Sequence, residues 1–325
     1  MDEPPAAARS ASMIIVLPAL ARPLLEPHLP QNAEVRWFAS AEDAYAMAPG
    51  AEIGWLDMQV PKNTGRAIAL GTDLKLVTTI YAGTDAFPLK EMKARGTRLT
   101  NGVGINTNAV AEYAVMGMLS LAKDFPAIVR AQDQLEWLRD APAKVELQGS
   151  RALIVGYGAI GRRIGEILKG FGVEVTGVRR SASGEPNMLG ASQWKDKLGE
   201  FDWVIVAAPA TEETAHLIGA AELAAMKPSA FLVNIARGTL VDQDALIAAL
   251  EAKRIAGAHL DVTDPEPLPP EHPLWQASNT LITMHLSGRA QTRMFHRAAQ
   301  LFLDNLARYQ AGEPLINEVD LALGY

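Results

Sequence analysis

The feature that most constrains the fold is a regular alternation of apolar runs and helical segments that begins at Arg151. The runs RALIV, VEVTGV, DWVIVAA, AFLVNIA, GAHLDV and TLITM are separated by helical patterns or by proline-rich and polar loops. Parallel strands joined by crossover helices produce this rhythm. The alternation therefore predicts a doubly wound parallel α/β sheet in this part of the chain. Earlier apolar runs, such as MIIVLPA and LKLVTTI, extend the α/β pattern towards the N-terminus.

A glycine motif stands at the first turn of this alternation. Gly156, Gly158 and Gly161 form G-x-G-x-x-G, with Ala159 and Ile160 inside it, after the strand ALIV and before the helical segment RRIGEILKGF. In this context the first glycine allows a tight bend, the second lets a pyrophosphate approach, and the third packs helix on strand. The helix N-terminus offers N–H groups to the same anion. The motif predicts a dinucleotide site, and an ordinary tight turn is the alternative.

The residues after the second strand of this region bear on the choice of dinucleotide. NAD sites place an acidic residue there for the ribose 2′-hydroxyl, whereas NADP sites use arginine. Arg179 and Arg180 occupy this position, followed by Ser181. A guanidinium can bind a 2′-phosphate through two parallel hydrogen bonds. The pair predicts NADP(H) over NAD, and solvated arginines without a ligand are the alternative.

Three polar residues follow later strands in sequence order. Arg237 follows FLVNI, Glu266 lies shortly beyond the strand that ends at Asp261, and His285 follows TLITM. Because parallel strands present their carboxyl ends at one edge of the sheet, all three can face a bound cofactor. A histidine can transfer protons near neutral pH, a carboxylate can orient it, and an arginine can bind and polarise a keto acid. Together they predict hydride transfer to a 2-keto acid, although each residue alone could be structural.

Composition excludes several other functions. A net charge of −7 and a pI near 5.5 argue against nucleic acid or an anionic membrane as partner. The chain has no cysteine, which excludes disulfides and thiolate catalysis and fits a reducing compartment. Its six histidines lack metal-ligand spacing, so no metal is expected. The first apolar run is too short to span a membrane, and we expect a cytoplasmic protein with a disordered tail over residues 1–12.

Several motifs together resemble those of the D-isomer-specific 2-hydroxyacid dehydrogenases. The matching segments are VGYGAIGRRI, APATEETAHLIG, VNIARGTLVDQDAL, LDVTDPEPLP and MHLSG, and the resemblance covers nearly the whole chain. It implies that Arg237 binds substrate, that His285 is the acid/base and that Glu266 is its partner. It also implies that the loop YAGTD holds the substrate carboxylate through backbone N–H groups around Ala82 and Gly83.

The same resemblance implies further contacts and an assembly. The additional cofactor-lining residues are Ala207, Pro209, Thr214, Ile235, Ala236, Asp261, His285 and Ser287. The implied fold is a Rossmann nucleotide domain over residues 103–287, with a smaller, discontinuous flavodoxin-like substrate domain from residues 1–102 and 288–325. Members are typically homodimers formed largely through the nucleotide domain.

The C-terminal segment INEVDLALGY and the two arginines resemble most the glyoxylate/hydroxypyruvate reductase branch, which commonly uses NADPH. We therefore predict reduction of a small 2-keto acid to a D-2-hydroxy acid. One alternative is a catalytically weak, nucleotide-sensing binding protein, against which the intact Arg/Glu/His set argues. Another is a dehydrogenase of a different small anion such as formate, whose enzymes generally place an amide where Glu266 stands. Two residues depart from the family pattern: Met284 replaces a common proline, and Thr263 a common aromatic residue.

Overall fold

The computed structural model describes residues 13–84, 86–180, 185–289 and 291–324. The expected N-terminal tail and Ser181 lie outside these ranges. By its internal contacts the chain divides into two units, Met1–Ile105 with Thr292–Tyr325, and Asn106–Gln291. The assignment of substrate binding to the first unit and of dinucleotide binding to the second stays a prediction.

The first unit is built on a five-stranded parallel sheet. Its strands are β1 (Ile14–Pro18), β2 (Glu34–Phe38), β3 (Ile53–Trp55), β4 (Leu76–Thr78) and β5 (Arg98–Thr100). They lie in the order β2-β1-β3-β4-β5, which is the order of flavodoxin-like folds. The connecting helices are α1 (Arg22–Leu25), α2 (Ala41–Met47), α3 (Pro61–Leu70) and α4 (Leu89–Ala94).

Strand β1 shows why the strands of this sheet have continuous apolar sequences. Val16 packs into a core on one face, with Val77 and Leu99. Its neighbours Ile15 and Leu17 pack into a second core on the opposite face. A parallel sheet covered on both faces needs apolar side chains at successive positions rather than at alternate ones.

The second unit contains a seven-stranded parallel sheet. Its strands are β6 (Arg151–Val155), β7 (Glu174–Arg179), β8 (Met188–Gly190), β9 (Trp203–Val206), β10 (Phe231–Asn234), β11 (Gly257–Leu260) and β12 (Thr280–Ile282). The order is β12-β11-β10-β9-β6-β7-β8, with every neighbouring pair parallel. The helices are α5 (Thr107–Lys123), α6 (Phe125–Asp133), α7 (Ala159–Gly170), α8 (Ala220–Ala225) and α9 (Gln243–Glu251).

The strand order reverses between β6 and β9, and this point locates the ligand site. In doubly wound sheets, ligands bind beyond the carboxyl ends of the strands at such a reversal. Both faces of the sheet are again covered, because Leu153 packs into one core and Ile154 into the other. The predicted fold class, a Rossmann domain with a smaller flavodoxin-like domain, is confirmed.

The chain ends by returning to the first unit through α10 (Met294–Ala311). Phe302 of this helix is fully buried and stacks on Trp55, with 6.2 Å between the ring centroids. Leu306, one turn later, joins the same core as Ile15 and Leu17. The C-terminal helix therefore covers one face of the five-stranded sheet, which is why this unit is discontinuous in sequence. Within the described ranges, no helix combines the length and the apolar character needed to cross a bilayer.

Candidate active site

The glycine motif forms the turn between β6 and α7. Gly156 has a φ of 100°, which strongly favours glycine. A Cβ there would also overlap the Ala207 carbonyl. A Cβ at Gly161 would collide with the carbonyl oxygen of Gly156, so the third glycine permits close packing of helix on strand. Two of the three glycines are thus explained by contacts within the chain.

Gly158 is explained differently. It has an extended backbone at the N-cap of α7, and a Cβ there would meet no described atom within 4 Å. No side chain caps this helix, so the N–H groups of its first turn, including those of Ala159 and Ile160, remain available. The missing side chain leaves space next to these N–H groups, and the pyrophosphate of a dinucleotide could bind there.

Arg179 lies beside this turn as the last residue of β7. Its Nε donates to the Tyr157 carbonyl at 3.3 Å, and its Nη1 lies 3.4 Å from Glu185 Oε1. Arg180 follows, with its Nη2 3.9 Å from Glu213 Oε2 in a largely exposed pair. Arg179 therefore lies next to the glycine turn, and its contact with a 2′-phosphate stays a prediction. The third predicted phosphate ligand, Ser181, lies outside the described residues.

The other predicted cofactor-lining residues follow β9 and β10. Ala207 donates its N–H to Val155 at 2.8 Å, which places it next to the glycine turn. Thr214 Oγ1 donates to the Pro209 carbonyl at 2.8 Å and so fixes the loop after β9. Ile235 and Ala236, directly after β10, are buried. Ala207, Ile235 and Ala236 directly follow their strands, whereas Pro209 and Thr214 lie further along the loop after β9. Their contact with a cofactor stays a prediction.

His285 and Glu266 meet at this edge of the sheet. His285 Nδ1 lies 2.8 Å from Glu266 Oε2, and the Thr263 N–H donates to Glu266 Oε1 at 3.1 Å. Burial raises the pKa of the Glu266 carboxyl, but the hydrogen bond and charge of His285 oppose it and the net shift is downward. The ring's Nε2 has no hydrogen-bond partner within the described chain, and the side chain is 46% exposed. This nitrogen is available to a ligand.

Arg237 approaches the same pair from the end of β10. Its Nη1 donates to the Ala236 carbonyl at 2.7 Å, and Asn234 Nδ2 holds the Arg237 carbonyl at 2.9 Å. Its charge contributes to the lowered pKa of Glu266. A Cβ at Gly238 would overlap the Thr263 carbonyl, so this turn lies directly against the loop that carries Glu266. The structure thus brings the three predicted catalytic residues together.

The side chains of Asp261 and Ser287 are buried. Ser287 Oγ donates to Asp261 Oδ2 at 2.5 Å, and Thr283 Oγ1 donates to Asp261 Oδ1 at 2.7 Å. Only 1% of Asp261 and 3% of Ser287 are exposed. Their predicted contact with cofactor stays a prediction, but both side chains are already used in bonds within the protein.

The backbone at His285 is unusual. Met284 has a φ of 53° and His285 a φ of 54°, so two successive non-glycine residues are left-handed. Such residues cost about 1–3 kcal/mol each and persist only where the surroundings enforce them. Proline, whose ring fixes φ near −65°, could not adopt this conformation at position 284. The left-handed backbone at position 284 is therefore compatible with methionine and incompatible with the proline that is common there.

In the first unit, the predicted substrate loop follows β4. Gly102 N–H donates to the Tyr81 carbonyl at 2.9 Å, and Asn101 Nδ2 donates to the Ala82 carbonyl at 3.0 Å. Among the described residues, no acceptor is bonded to the N–H groups of Ala82 and Gly83. A loop whose carbonyls are paired and whose N–H groups are not can bind an anion.

One charged residue near this loop was not anticipated from the sequence. Asp57, after β3, accepts hydrogen bonds from Trp55 Nε1 at 2.8 Å, Thr79 Oγ1 at 2.7 Å and the Ile80 N–H at 2.6 Å. Burial raises the pKa of Asp57 to about 6, despite these hydrogen bonds. The signal was a lone aspartate directly after the apolar run IGWL, at the carboxyl end of a strand.

The Rossmann sheet, the glycine turn at the switch point and the His–Glu pair beyond β11 and β12 indicate a dinucleotide-dependent oxidoreductase. Comparison with known proteins gives the family. The NAD-binding domain profile of the D-isomer specific 2-hydroxyacid dehydrogenases matches residues 115–287, more than half of the chain. The glyoxylate reductase of Thermococcus gammatolerans is 35% identical over 250 residues, 74% of each chain. This chain belongs to the D-isomer specific 2-hydroxyacid dehydrogenase family, as the motifs indicated.

Solved structures agree. A D-isomer specific 2-hydroxyacid dehydrogenase family protein from Aeromonas salmonicida has a TM-score of 0.85 and 30% identity, covering 96% of this chain and 100% of that one. The NADPH-dependent glyoxylate/hydroxypyruvate reductase of Sinorhizobium meliloti, solved with NADP and malonate, has a TM-score of 0.78 and 25% identity. That match covers 96% of this chain and 98% of the other.

The raised pKa of Asp57 predicts a pH effect on stability. Because the folded pKa of about 6 exceeds the usual 3.8, the stability linked to this group is complete below pH 4 and lost as pH rises through 6. Relative to an Asp57→Asn variant, the wild type should lose about 2 kcal/mol of unfolding free energy between pH 4 and pH 8. Urea unfolding across this range measures it, with the exposed Asp73→Asn as control. Parallel curves for wild type and Asp57→Asn would contradict the prediction.

Proposed function

We propose that this protein reduces small 2-keto acids of the glyoxylate and hydroxypyruvate type to D-2-hydroxy acids, with NADPH as reductant. The reaction consumes the keto acid, NADPH and one proton, and yields the hydroxy acid and NADP+. The observation that carries the proposal is the 2.8 Å contact between His285 Nδ1 and Glu266 Oε2, at the same edge of the sheet as the glycine turn. It supplies a proton donor where a carbonyl oxygen needs one.

These contacts suggest a separate role for each catalytic residue. When bound, the nicotinamide supplies a hydride to C2 of the keto acid. His285 carries the transferred proton on Nε2, because its Nδ1 is held by Glu266. Glu266 orients the ring through its contact with Nδ1, while the Thr263 N–H fixes the carboxylate. In the oxidative direction the same Nε2 would accept the proton.

Two sets of donors serve the substrate in this proposal. The N–H groups of Ala82 and Gly83, unpaired among the described residues, bind the substrate carboxylate. Arg237 binds the substrate and polarises the carbonyl that receives the hydride. Its backbone is fixed by Asn234, which supports a preset position for the guanidinium.

We assign the coenzyme preference to the arginines after β7. Arg179 binds the 2′-phosphate with Arg180, and an arginine instead of an acidic residue at the end of β7 disfavours NAD. The S. meliloti relative, solved with NADP, supports this choice. The cysteine-free sequence suits a reducing compartment, and we propose the cytoplasm as the place of reaction.

We also propose a homodimer formed through α6 and the segment that follows it. Large apolar side chains are exposed here: Phe125 is 53% exposed, Leu135 95% and Trp137 91%. Contiguous exposed apolar surface marks an interaction site. A second copy of the chain fits because the nucleotide unit is the expected dimer contact in this family.

Activity is tested directly with purified protein, NADPH and glyoxylate or hydroxypyruvate. We expect coenzyme oxidation, and a loss of kcat of roughly 10²- to 10⁴-fold in His285→Ala, since general acid catalysis is worth that much. The NADPH dissociation constant should stay unchanged. The exposed His28→Ala is the matched control. Tight NADPH binding with no turnover of any 2-keto acid would instead support a nucleotide-sensing binding protein.

Coenzyme preference is tested with Arg179→Asp. Replacing a cation that binds the 2′-phosphate by an anion should lower the ratio of kcat/KM for NADPH over NADH by about 10- to 100-fold, as expected for a charged hydrogen bond. Steady-state kinetics with both coenzymes measure the ratio. Arg254→Asp, an equal charge change at an exposed site, should leave it intact. An unchanged ratio in Arg179→Asp would refute the phosphate role.

The dimer is tested by sedimentation velocity. Trp137→Glu should convert a dimer to a monomer, because it replaces a large exposed apolar side chain of this surface by a charge. Leu20→Glu, which alters a side chain 70% exposed in the first unit, should leave the dimer unchanged. A monomeric wild type, or a dimeric Trp137→Glu variant, would contradict the proposal.

A further inference from the structure

Asp261 contacts the segment around His285 at three points. Its Oδ1 accepts from Thr283 Oγ1 at 2.7 Å and its Oδ2 from Ser287 Oγ at 2.5 Å. Its carbonyl oxygen accepts the N–H of His285 itself, also at 2.5 Å. Thr283 and Ser287 lie two residues before and after His285, so one aspartate holds both sides of the histidine and its backbone.

A buried histidine extends this network. His259 Nε2 lies 3.1 Å from Thr283 Oγ1, and its side chain is completely buried on β11. A carboxylate can only accept, so the single proton of the Thr283 hydroxyl goes to Asp261. The Thr283 oxygen must then accept from His259 Nε2–H. Burial lowers the pKa of His259 to about 4, which keeps the ring neutral at ordinary pH.

The position of His259 is itself fixed. A Cβ at Gly117 of α5 would overlap the His259 ring, so helix α5 packs directly against it. Its Nδ1 is buried without a hydrogen-bond partner among the described residues. A buried polar atom left unpaired is costly, so a histidine is a poor choice here for core packing alone. Its hydrogen bond to Thr283 supplies another reason for it.

The segment that this network holds is the strained one. Met284 and His285 are both left-handed, although neither is glycine and Met284 is 62% exposed. No packing of the Met284 side chain explains its conformation. Its conformation is explained by hydrogen bonds to Asp261, which fix the chain on both sides of the strained pair. They come from Thr283, His285 and Ser287.

The four residues whose side chains make these bonds, here called the aspartate clamp, are Asp261, Thr283, Ser287 and His259. We propose that the aspartate clamp holds Met284 and His285 in the left-handed conformation that places His285 Nδ1 against Glu266. Its members are positioning residues, and His259 acts through Thr283. The proposal rests on the proposed function only for the effect on turnover.

Hydroxyl deletion tests the clamp in the complete enzyme. Thr283→Val and Ser287→Ala should lower kcat by roughly 10- to 100-fold, the effect of a small misplacement of a catalytic group. In Thr283→Val the NADPH dissociation constant should remain unchanged, because the glycine turn and Arg179 are untouched and Thr283 is not a predicted cofactor-lining residue. Thr283→Ser should restore activity, and Thr280→Val on neighbouring β12 is the control. Weakened NADPH binding at unchanged kcat would overturn the proposal in favour of cofactor contact.

Backbone preference separates positioning from general packing. Because the Met284 side chain is exposed, its substitutions act mainly through the backbone. Met284→Asn, which tolerates the left-handed region, should keep kcat and partly restore it in Ser287→Ala. Met284→Val, β-branched and unfavourable there, should lower kcat even with the clamp intact. Equal activity of the two Met284 variants, with no rescue of Ser287→Ala, would overturn the proposal.

A measurement without coenzyme distinguishes this proposal from the proposed function. In the wild type, Glu266→Gln should shift the ring proton resonances of His285 in NMR spectra, because the two side chains touch. In the Thr283→Val and Ser287→Ala backgrounds this shift should largely disappear. A shift of undiminished size there would overturn the clamp whether or not the protein reduces keto acids. If wild type has no turnover but the shift behaves as expected, only the proposed function fails.

Discussion

The contact between His285 Nδ1 and Glu266 Oε2 is the interaction on which the proposed chemistry depends. It gives the histidine one engaged and one available nitrogen, which a directed proton transfer requires. The two residues are 19 positions apart in the sequence, and one follows β11 while the other follows β12. Parallel pairing of these strands brings their carboxyl ends to one edge, and the turn bearing Arg237 reaches the same edge from β10. The sheet therefore creates the site by its topology.

The site is maintained at a local cost in stability. Two left-handed non-glycine residues and a buried histidine nitrogen that has no partner among the described residues are both unfavourable for folding. Met284 and His285 lie beyond the end of β12 and His259 is the penultimate residue of β11, whereas most other buried positions of the sheet are apolar. The hydrophobic cores on the two faces of the sheet stabilise the fold and offset this local cost. Such local costs are common at functional sites.

Much of this structure could be predicted from the sequence, for identifiable reasons. The glycine motif, the strand rhythm and the order of Arg237, Glu266 and His285 are local patterns, and parallel topology converts their order into proximity. The family motifs gave the flavodoxin-like order of the first sheet, which composition alone could not. The roles of the catalytic and cofactor residues stay predictions, even where the structure brings them together.

Other features could not be predicted because they depend on burial and backbone torsion. Asp261 and Ser287 matched cofactor-lining positions in sequence, yet their side chains bond to each other below the surface. The left-handed conformation of Met284 could not be predicted, because methionine has no preference for that backbone region. Asp57 gave only a weak signal, because the importance of a single aspartate after a strand depends on which donors surround it.

The most direct test of hydride transfer to C2 is an isotope experiment with hydroxypyruvate. The NADPH should carry deuterium at both hydrogens of the transferable nicotinamide position. Mass spectrometry and chiral chromatography of the product should show one deuterium on C2 of D-glycerate. An unlabelled product, or L-glycerate, would contradict direct D-specific reduction at this site.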